Sequence, residues 1–223
     1  MQTDWPEAKT SGGPALLAAA LAFSAGFADS QSYLNWHLFG ANMTGNTVLF
    51  GIAATTGNLS QAAAVFEPIV AFVAGCGIAT IFLGTSQNVC FLIEAAILGV
   101  SAFTEQSPGQ LVLISLAMGV QNATVNTFGS VRANTSFITG NYERLGQAVA
   151  RIATGKAGTN ERKTLIVVTP LVISYAIGAA VAATLLLHRV PHVLLVIVAI
   201  IVTIVGSRRV RTLAASKKKQ PDG

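Results

Sequence analysis

Two short Thr-Gly-Asn motifs have residue types that suit the binding of a polar solute. The first, Thr44-Gly45-Asn46, follows Asn42, and the second is Thr139-Gly140-Asn141. Glycine permits a break in helical backbone, and Thr or Asn side chains can cap the helix that follows. A helix N-terminus presents free N–H groups and partial positive charge, so two such ends meeting in one place favour an anion or a carboxylate-bearing solute. The simpler alternative is a pair of surface turns that only end helices.

Three polar side chains interrupt apolar stretches upstream of these motifs. Asp29 precedes the first motif, and Gln121 and Asn122 precede the second. Polar groups inside a membrane are costly and usually face the interior of a helix bundle or a cavity. These residues are therefore candidates for solute binding. The alternative is hydrogen bonding between helices, which is worth about 0.6 kcal/mol per pair.

Glu94 is the carboxyl group in the middle of the apolar run 90–97. A lone carboxyl group in such a run would suit a proton-coupling site. The alternative is a neutral carboxyl group that is hydrogen-bonded to a neighbouring helix. The sequence has no metal-ligand cluster, no nucleophile with its base and no phosphate-binding loop. We therefore expect no catalytic residues, no metal and no cofactor, and we expect the protein not to be an enzyme.

The composition indicates a membrane protein. Of 223 residues, 52% are hydrophobic and 10% are charged, whereas an ordinary soluble domain has about 25% charged residues. We predict an all-α, polytopic bundle of about six transmembrane helices, because a run of about 20 apolar residues spans a bilayer. Two semi-apolar segments, about 42–57 and 137–153, are predicted to be half-helices. The predicted spans are about 14–34, 65–85, 88–104, 109–128, 164–187 and 190–207.

The basic residues predict the orientation. The formal net charge is +5, and Lys and Arg concentrate in 132–163 and 208–219, whereas 35–64 contains none. They adjoin apolar runs rather than covering an amphipathic surface, which argues against nucleic-acid binding. With six spans, the positive-inside rule places both termini and the segment 129–163 in the cytoplasm.

The sequence nearly repeats itself. The first half contains, in this order, Asp29, the segment 41–47 and Glu67-Pro68. The second half has Asn122, the segment 135–142 and Thr169-Pro170 at the corresponding positions. Each unit has a span, a Thr-Gly-Asn half-helix and two further spans. Because three spans is an odd number, the second unit should be inserted upside down, as in the inverted repeats of secondary transporters. Chance similarity between two Gly- and Ala-rich halves is the alternative. The predicted organisation is a cytoplasmic tail 1–13, one transmembrane domain 14–207 (repeat one about 14–104, repeat two about 109–207) and a basic tail 208–223.

Several of these motifs resemble the signature of the YoaK-like family (domain of unknown function 1275). They are 25–29, 41–48, 119–123 and 136–141. The resemblance covers about 20–207 and implies a compact, polytopic protein of the bacterial inner membrane. The chain departs from the family pattern at Thr124-Val125, where a basic pair is common, and at Asn141, where Thr is common. The resemblance supplies no activity.

Two functions fit these observations. The first is an alternating-access transporter of a small anionic or polar solute, which the inverted repeat with paired breaks favours. The second is a membrane scaffold, sensor or accessory subunit, which the small size and the scarcity of charged pairs favour. The lipid bilayer is the expected partner, and the oligomeric state, including a homo-oligomer, is left open.

Overall fold

The computed structural model describes residues 13–83, 87–104 and 107–188. These residues form seven helices and one small β-hairpin. The elements are α1 (Gly13–Trp36), α2 (Met43–Thr55), α3 (Leu59–Leu83), α4 (Gln87–Ser101), α5 (Pro108–Thr124), β1 (Thr127–Phe128), β2 (Val131–Arg132), α6 (Ile138–Ala153) and α7 (Thr159–Leu187). The predicted span 190–207 and both predicted tails lie outside the described residues, apart from Gly13.

Apolar helices dominate the described part of the chain, as predicted. Three of these helices are long and apolar enough to cross a membrane: Gly13–Trp36, Leu59–Phe82 and Thr159–Leu187, and Gln87–Ser101 is a shorter apolar helix. Many large apolar side chains are exposed, Phe66 and Val73 of α3 among them, which suits a protein with lipid as its solvent. The count of six spans stays a prediction.

The two predicted half-helices are both present as helices. The segment 42–57 contains α2, and the segment 137–153 contains α6. Helix α2 packs against α3, and α6 packs against α7. An ion pair of 3.2 Å joins Arg151 at the end of α6 to Glu161 in the first turn of α7.

The predicted span 109–128 ends four residues too late, because the helix ends at Thr124. Val125 adopts extended backbone, and the chain then forms an antiparallel hairpin in which Phe128 pairs with Val131. Gly129 has a φ of 65°, a left-handed conformation that glycine adopts without steric cost.

Two closely packed helix pairs form the centre of the structure. Helix α1 packs mainly against α7, and α3 packs mainly against α5. In the first pair, a Cβ atom on Gly26 would overlap the carbonyl oxygen of Tyr175, and one on Gly178 would overlap that of Phe23. Glycine at these positions lets the two backbones touch.

The second pair repeats this arrangement. A Cβ on Gly119 of α5 would overlap the carbonyl oxygen of Phe72, and a Cβ on Gly75 of α3 would overlap that of Leu116. Among the small residues of 75–79 and 178–182, Gly75 and Gly178 make these close contacts. Gly77 does not, because a Cβ there would meet nothing within 4 Å.

Candidate functional site

The two asparagines of the Thr-Gly-Asn motifs each hold a preceding loop. The Nδ2 group of Asn46 donates to the carbonyl of Phe39 at 2.8 Å, and its Oδ1 accepts from the Phe39 N–H at 2.9 Å. The Nδ2 group of Asn141 donates to the carbonyl of Asn134 at 2.7 Å. Both side chains are fully buried, and each reaches back seven residues. Each asparagine therefore fixes the path of the chain into the short helix that carries it.

The prediction that these motifs mark the helix break itself was wrong. The helices begin at Met43 and Ile138, so both motifs lie within the first turn. Asn42 is the residue that caps α2, and its Oδ1 accepts from the Gly45 N–H at 3.3 Å. The asparagines instead bond loop backbone, which also needs partners when it is buried.

The motif glycines are explained by close packing. A Cβ on Gly45 would lie 2.7 Å from the ring of Phe39, and one on Gly140 would lie 3.2 Å from the ring of Phe137. The aromatic ring before each helix therefore folds over its first turn. Thr44 and Thr139 are exposed on these turns.

Asp29 holds the segment that leads into α2. It is buried, and its Oδ1 accepts from the N–H groups of Ala41 at 2.7 Å and Asn42 at 2.9 Å. Its Oδ2 accepts a hydrogen bond from the hydroxyl of Tyr175 in α7. One carboxylate therefore connects α1, the segment before α2 and α7.

Gln121 and Asn122 hold the segment that leads into α6. The Nε2 group of Gln121 donates to the carbonyl of Leu21 and to Oγ1 of Thr135, both at 3.0 Å. The Oδ1 atom of Asn122 accepts from the hydroxyl of Ser136 at 3.1 Å. Helices α1 and α5 thus each place a polar side chain against the segment that precedes a short helix.

Tyr175 and Tyr142 are site residues that the sequence reasoning did not single out. Tyr142 lies in the first turns of α6, and its hydroxyl is near enough to that of Tyr175 to interact with it electrostatically. Tyr175 in turn bonds to Asp29, which holds the start of α2. The signal in the sequence was a hydroxyl in the fifth predicted span, at the position where the first unit has Phe72.

Arg144 adds a positive charge to the start of α6. Its Nη1 donates to the carbonyl of Gly140 at 3.2 Å and lies 3.5 Å from Oδ1 of Asn141. The residue that caps α6, Phe137, has no side-chain capping hydrogen bond. The guanidinium and the helix N-terminus therefore place positive potential in the same place.

Glu94 lies apart from these groups, in α4. It is 2% exposed, and its Oε2 has no hydrogen-bond partner in the described part of the chain. Its proton-coupling role stays a prediction. Residues 13–83, 87–104 and 107–188 contain no group of three or more His, Cys, Asp or Glu side chains that could hold a metal ion.

The arrangement is that of a hydrogen-bonding site in a helix bundle. The residues 17–207 match the family model described as a protein of unknown function, DUF1275. The chain is 30% identical over 189 residues to the UPF0700 transmembrane protein YoaK of Bacillus subtilis (strain 168), an alignment that covers 75% of this chain and 81% of that protein. No solved structure matches it. The apolar helices and the transmembrane relative identify a multi-pass membrane protein, and the chain belongs to the DUF1275 family, as the resemblance of its motifs implied.

Proposed function

We propose that this protein is an alternating-access carrier of a small anionic or polar solute in the bacterial inner membrane. The observation that carries the proposal is that both short helices are joined to α7, which carries Tyr175. The start of α2 is hydrogen-bonded to Asp29, which also accepts from the Tyr175 hydroxyl, and α6 packs directly against α7. A helix N-terminus suits an anion, since it contributes N–H groups and partial positive charge.

An inverted relation between the two units is part of this proposal. Its support is that the glycine contacts occur in matching sets: Gly26 and Gly178 join α1 to α7, and Gly119 and Gly75 join α5 to α3. The first helix of each unit thus packs on the third helix of the other. Carriers built from inverted repeats rock one helix bundle against another around a central site, and the tightly packed pairs α1–α7 and α3–α5 are the bundles in this proposal.

The preference for an anion rests on the uneven charge of the two short helices. The first, α2, carries no charged side chain, whereas α6 carries Arg144 beside its N-terminus. Of the other charged residues of α6, Glu143 accepts from Gln147 and Arg151 pairs with Glu161. No acidic residue forms an ion pair with Arg144 in the described part of the chain. An anionic solute would supply the missing countercharge, and the site residues in this proposal are Asp29, Asn42, Thr44, Gly45, Asn46, Gln121, Asn122, Thr139, Gly140, Asn141, Tyr142, Arg144 and Tyr175.

The test is flux through purified protein in proteoliposomes. The probes are chloride, sulfate, phosphate, formate, acetate and succinate, followed as isotope uptake or as current on a solid-supported membrane. We expect flux of at least one anion, and we expect Asn141→Leu to abolish it while the variant still elutes as a folded protein. Gln147→Leu, on the exposed face of the same helix, is the matched control and should transport normally.

A folded wild-type protein that passes none of these probes would contradict the carrier function. A membrane scaffold, sensor or accessory subunit is the second candidate. The observation in its favour is that the described residues contain a single ion pair, Arg151–Glu161, whereas coupled carriers usually contain several charged pairs. Co-purification of one stoichiometric partner, together with absence of flux, would support that function instead.

A further inference from the structure

Asp29 is a buried carboxyl group whose partners are all neutral. It is 4% exposed and accepts hydrogen bonds from the N–H groups of Ala41 and Asn42 and from the hydroxyl of Tyr175. The single ion pair among the described residues lies elsewhere, between α6 and α7. A carboxylate without a cation inside a membrane bundle is costly to keep charged, so it is a group that can take a proton.

The second unit shows that holding the segment does not require a carboxyl group. There Asn122 stands at the position of Asp29, and its Oδ1 accepts from Ser136. Phe72, at the position of Tyr175, has no hydroxyl, although both residues present their carbonyl oxygens to a glycine of the partner helix. An amide and a phenyl ring are thus sufficient for the structural role, and the Asp29–Tyr175 pair adds a titratable group.

Few other titratable groups face this pair. Tyr175 comes from α7, and Tyr142 of α6 is within electrostatic range of it. Tyr33 follows Asp29 on α1, and His37 comes directly after the end of that helix. The segment 40–42 and helices α2 and α5 contain no ionisable side chain. The other buried carboxyl group in the described part of the chain is Glu94 of α4, so any test must separate Asp29 from Glu94.

We propose that Asp29 and Tyr175 form a proton-binding site whose occupancy sets how firmly the start of α2 is held against α1 and α7. This rests on the proposed carrier function and adds a proton as its coupling ion. A proton from water binds Oδ2 of Asp29, and the new O–H donates to the hydroxyl oxygen of Tyr175. The hydrogen bond between the two side chains therefore reverses direction, and the Tyr175 O–H is released from the carboxyl group. The bonds from Ala41 and Asn42 weaken, because hydrogen bonds to a charged acceptor are about twice as strong as neutral ones.

The experiment measures how pH changes the accessibility of Thr44, which is exposed on the first turn of α2. In a background with Cys76→Ala and Cys90→Ala, the maleimide labelling rate of Thr44→Cys is divided by that of Ser60→Cys, an exposed residue at the second position of α3, as Thr44 is of α2. Both thiols lie in the segment 35–64, which has no Lys or Arg. This ratio removes the pH dependence of the thiol itself. We expect the ratio to rise about threefold as the pH falls from about 8 to about 5, the size of effect that follows loss of one interhelical hydrogen bond.

Three variants show which carboxyl group binds the proton. Asp29→Asn should give a ratio that is independent of pH and equal to the low-pH value of the wild-type background, whereas Glu94→Gln should leave the transition unchanged. Tyr175→Phe, which copies Phe72, should fold normally and move the midpoint to higher pH, because the ionised carboxylate loses one donor. A flat ratio in the wild-type background, an unchanged transition in Asp29→Asn, or its loss in Glu94→Gln would overturn the proposal.

The outcome is separable from that of the carrier proposal, because labelling requires no transport. Anion flux in liposomes together with a labelling ratio that does not change with pH would support the carrier function and contradict the proton site. The expected pH transition without flux would support a proton-sensitive contact and contradict its role in coupling.

Discussion

Gly26 of α1 and Gly178 of α7 each lie against a backbone carbonyl of the other helix. Gly26 faces the carbonyl of Tyr175, and Gly178 faces that of Phe23. Because Tyr175 also reaches Asp29 with its hydroxyl, this crossing positions the polar site. Close backbone approach of this kind is a main source of helix association in lipid, where no hydrophobic driving force acts between helices.

The first prediction concerns this crossing. Gly26→Ala should destabilise the protein by about 2 kcal/mol, since a Cβ would overlap backbone that cannot move aside and overpacking typically costs about 1–3 kcal/mol. The melting temperature in detergent should therefore fall by on the order of 5 °C. Gly77→Ala is the control, because a Cβ there meets nothing within 4 Å. Equal melting temperatures for the two variants would contradict the close crossing.

The second prediction concerns the asparagine that holds the first loop. Asn46→Leu removes both hydrogen bonds to Phe39, and a lost buried hydrogen bond costs about 1–3 kcal/mol. Exchange of the Phe39 amide, followed by mass spectrometry, should accelerate by about tenfold or more. Thr47→Ala is the neighbouring control, because Thr47 is exposed and bonds only within α2. Exchange that is equally slow in both variants would show that Asn46 does not hold this loop.

The helices were predictable from the sequence, but the hydrogen bonds of the site were not. Apolar runs fix the position of helices such as α3 and α7, because lipid requires continuous apolar length. The ends were less certain, and α5 ends at Thr124 because the following residues form a hairpin. Spacing along the chain does not encode the path of a loop or the rotation of a helix. It therefore could not predict that Asn46 bonds Phe39, or that Tyr175 bonds Asp29, which lies 146 residues earlier.

The third prediction concerns Gln121, whose Nε2 bonds two oxygen atoms, those of Leu21 and Thr135. In Gln121→Glu an oxygen replaces this donor and faces the Leu21 carbonyl, which can only accept. We expect a loss of stability of about 3 kcal/mol, as for other buried charges left without a partner, measured by chemical denaturation in detergent. Gln61→Glu is the control, since the exposed Gln61 uses its Oε1 as an acceptor, which Glu retains. Similar stability of the two variants would contradict the bonding of Gln121.

The fourth prediction concerns the sidedness of the two short helices. If the units are inverted, the α2–α3 connection faces the periplasm and the α6–α7 connection faces the cytoplasm, where basic residues concentrate. Ser60→Cys and Lys156→Cys are exposed reporters of these connections in a background without Cys76 and Cys90. A membrane-impermeant maleimide added to intact cells should label the first and spare the second, and inverted vesicles should give the opposite result. Labelling of both from one side would place the starts of α2 and α6 in the same leaflet. Two helix N-termini could then not approach one solute from opposite faces, and the carrier proposal would lose its geometric basis.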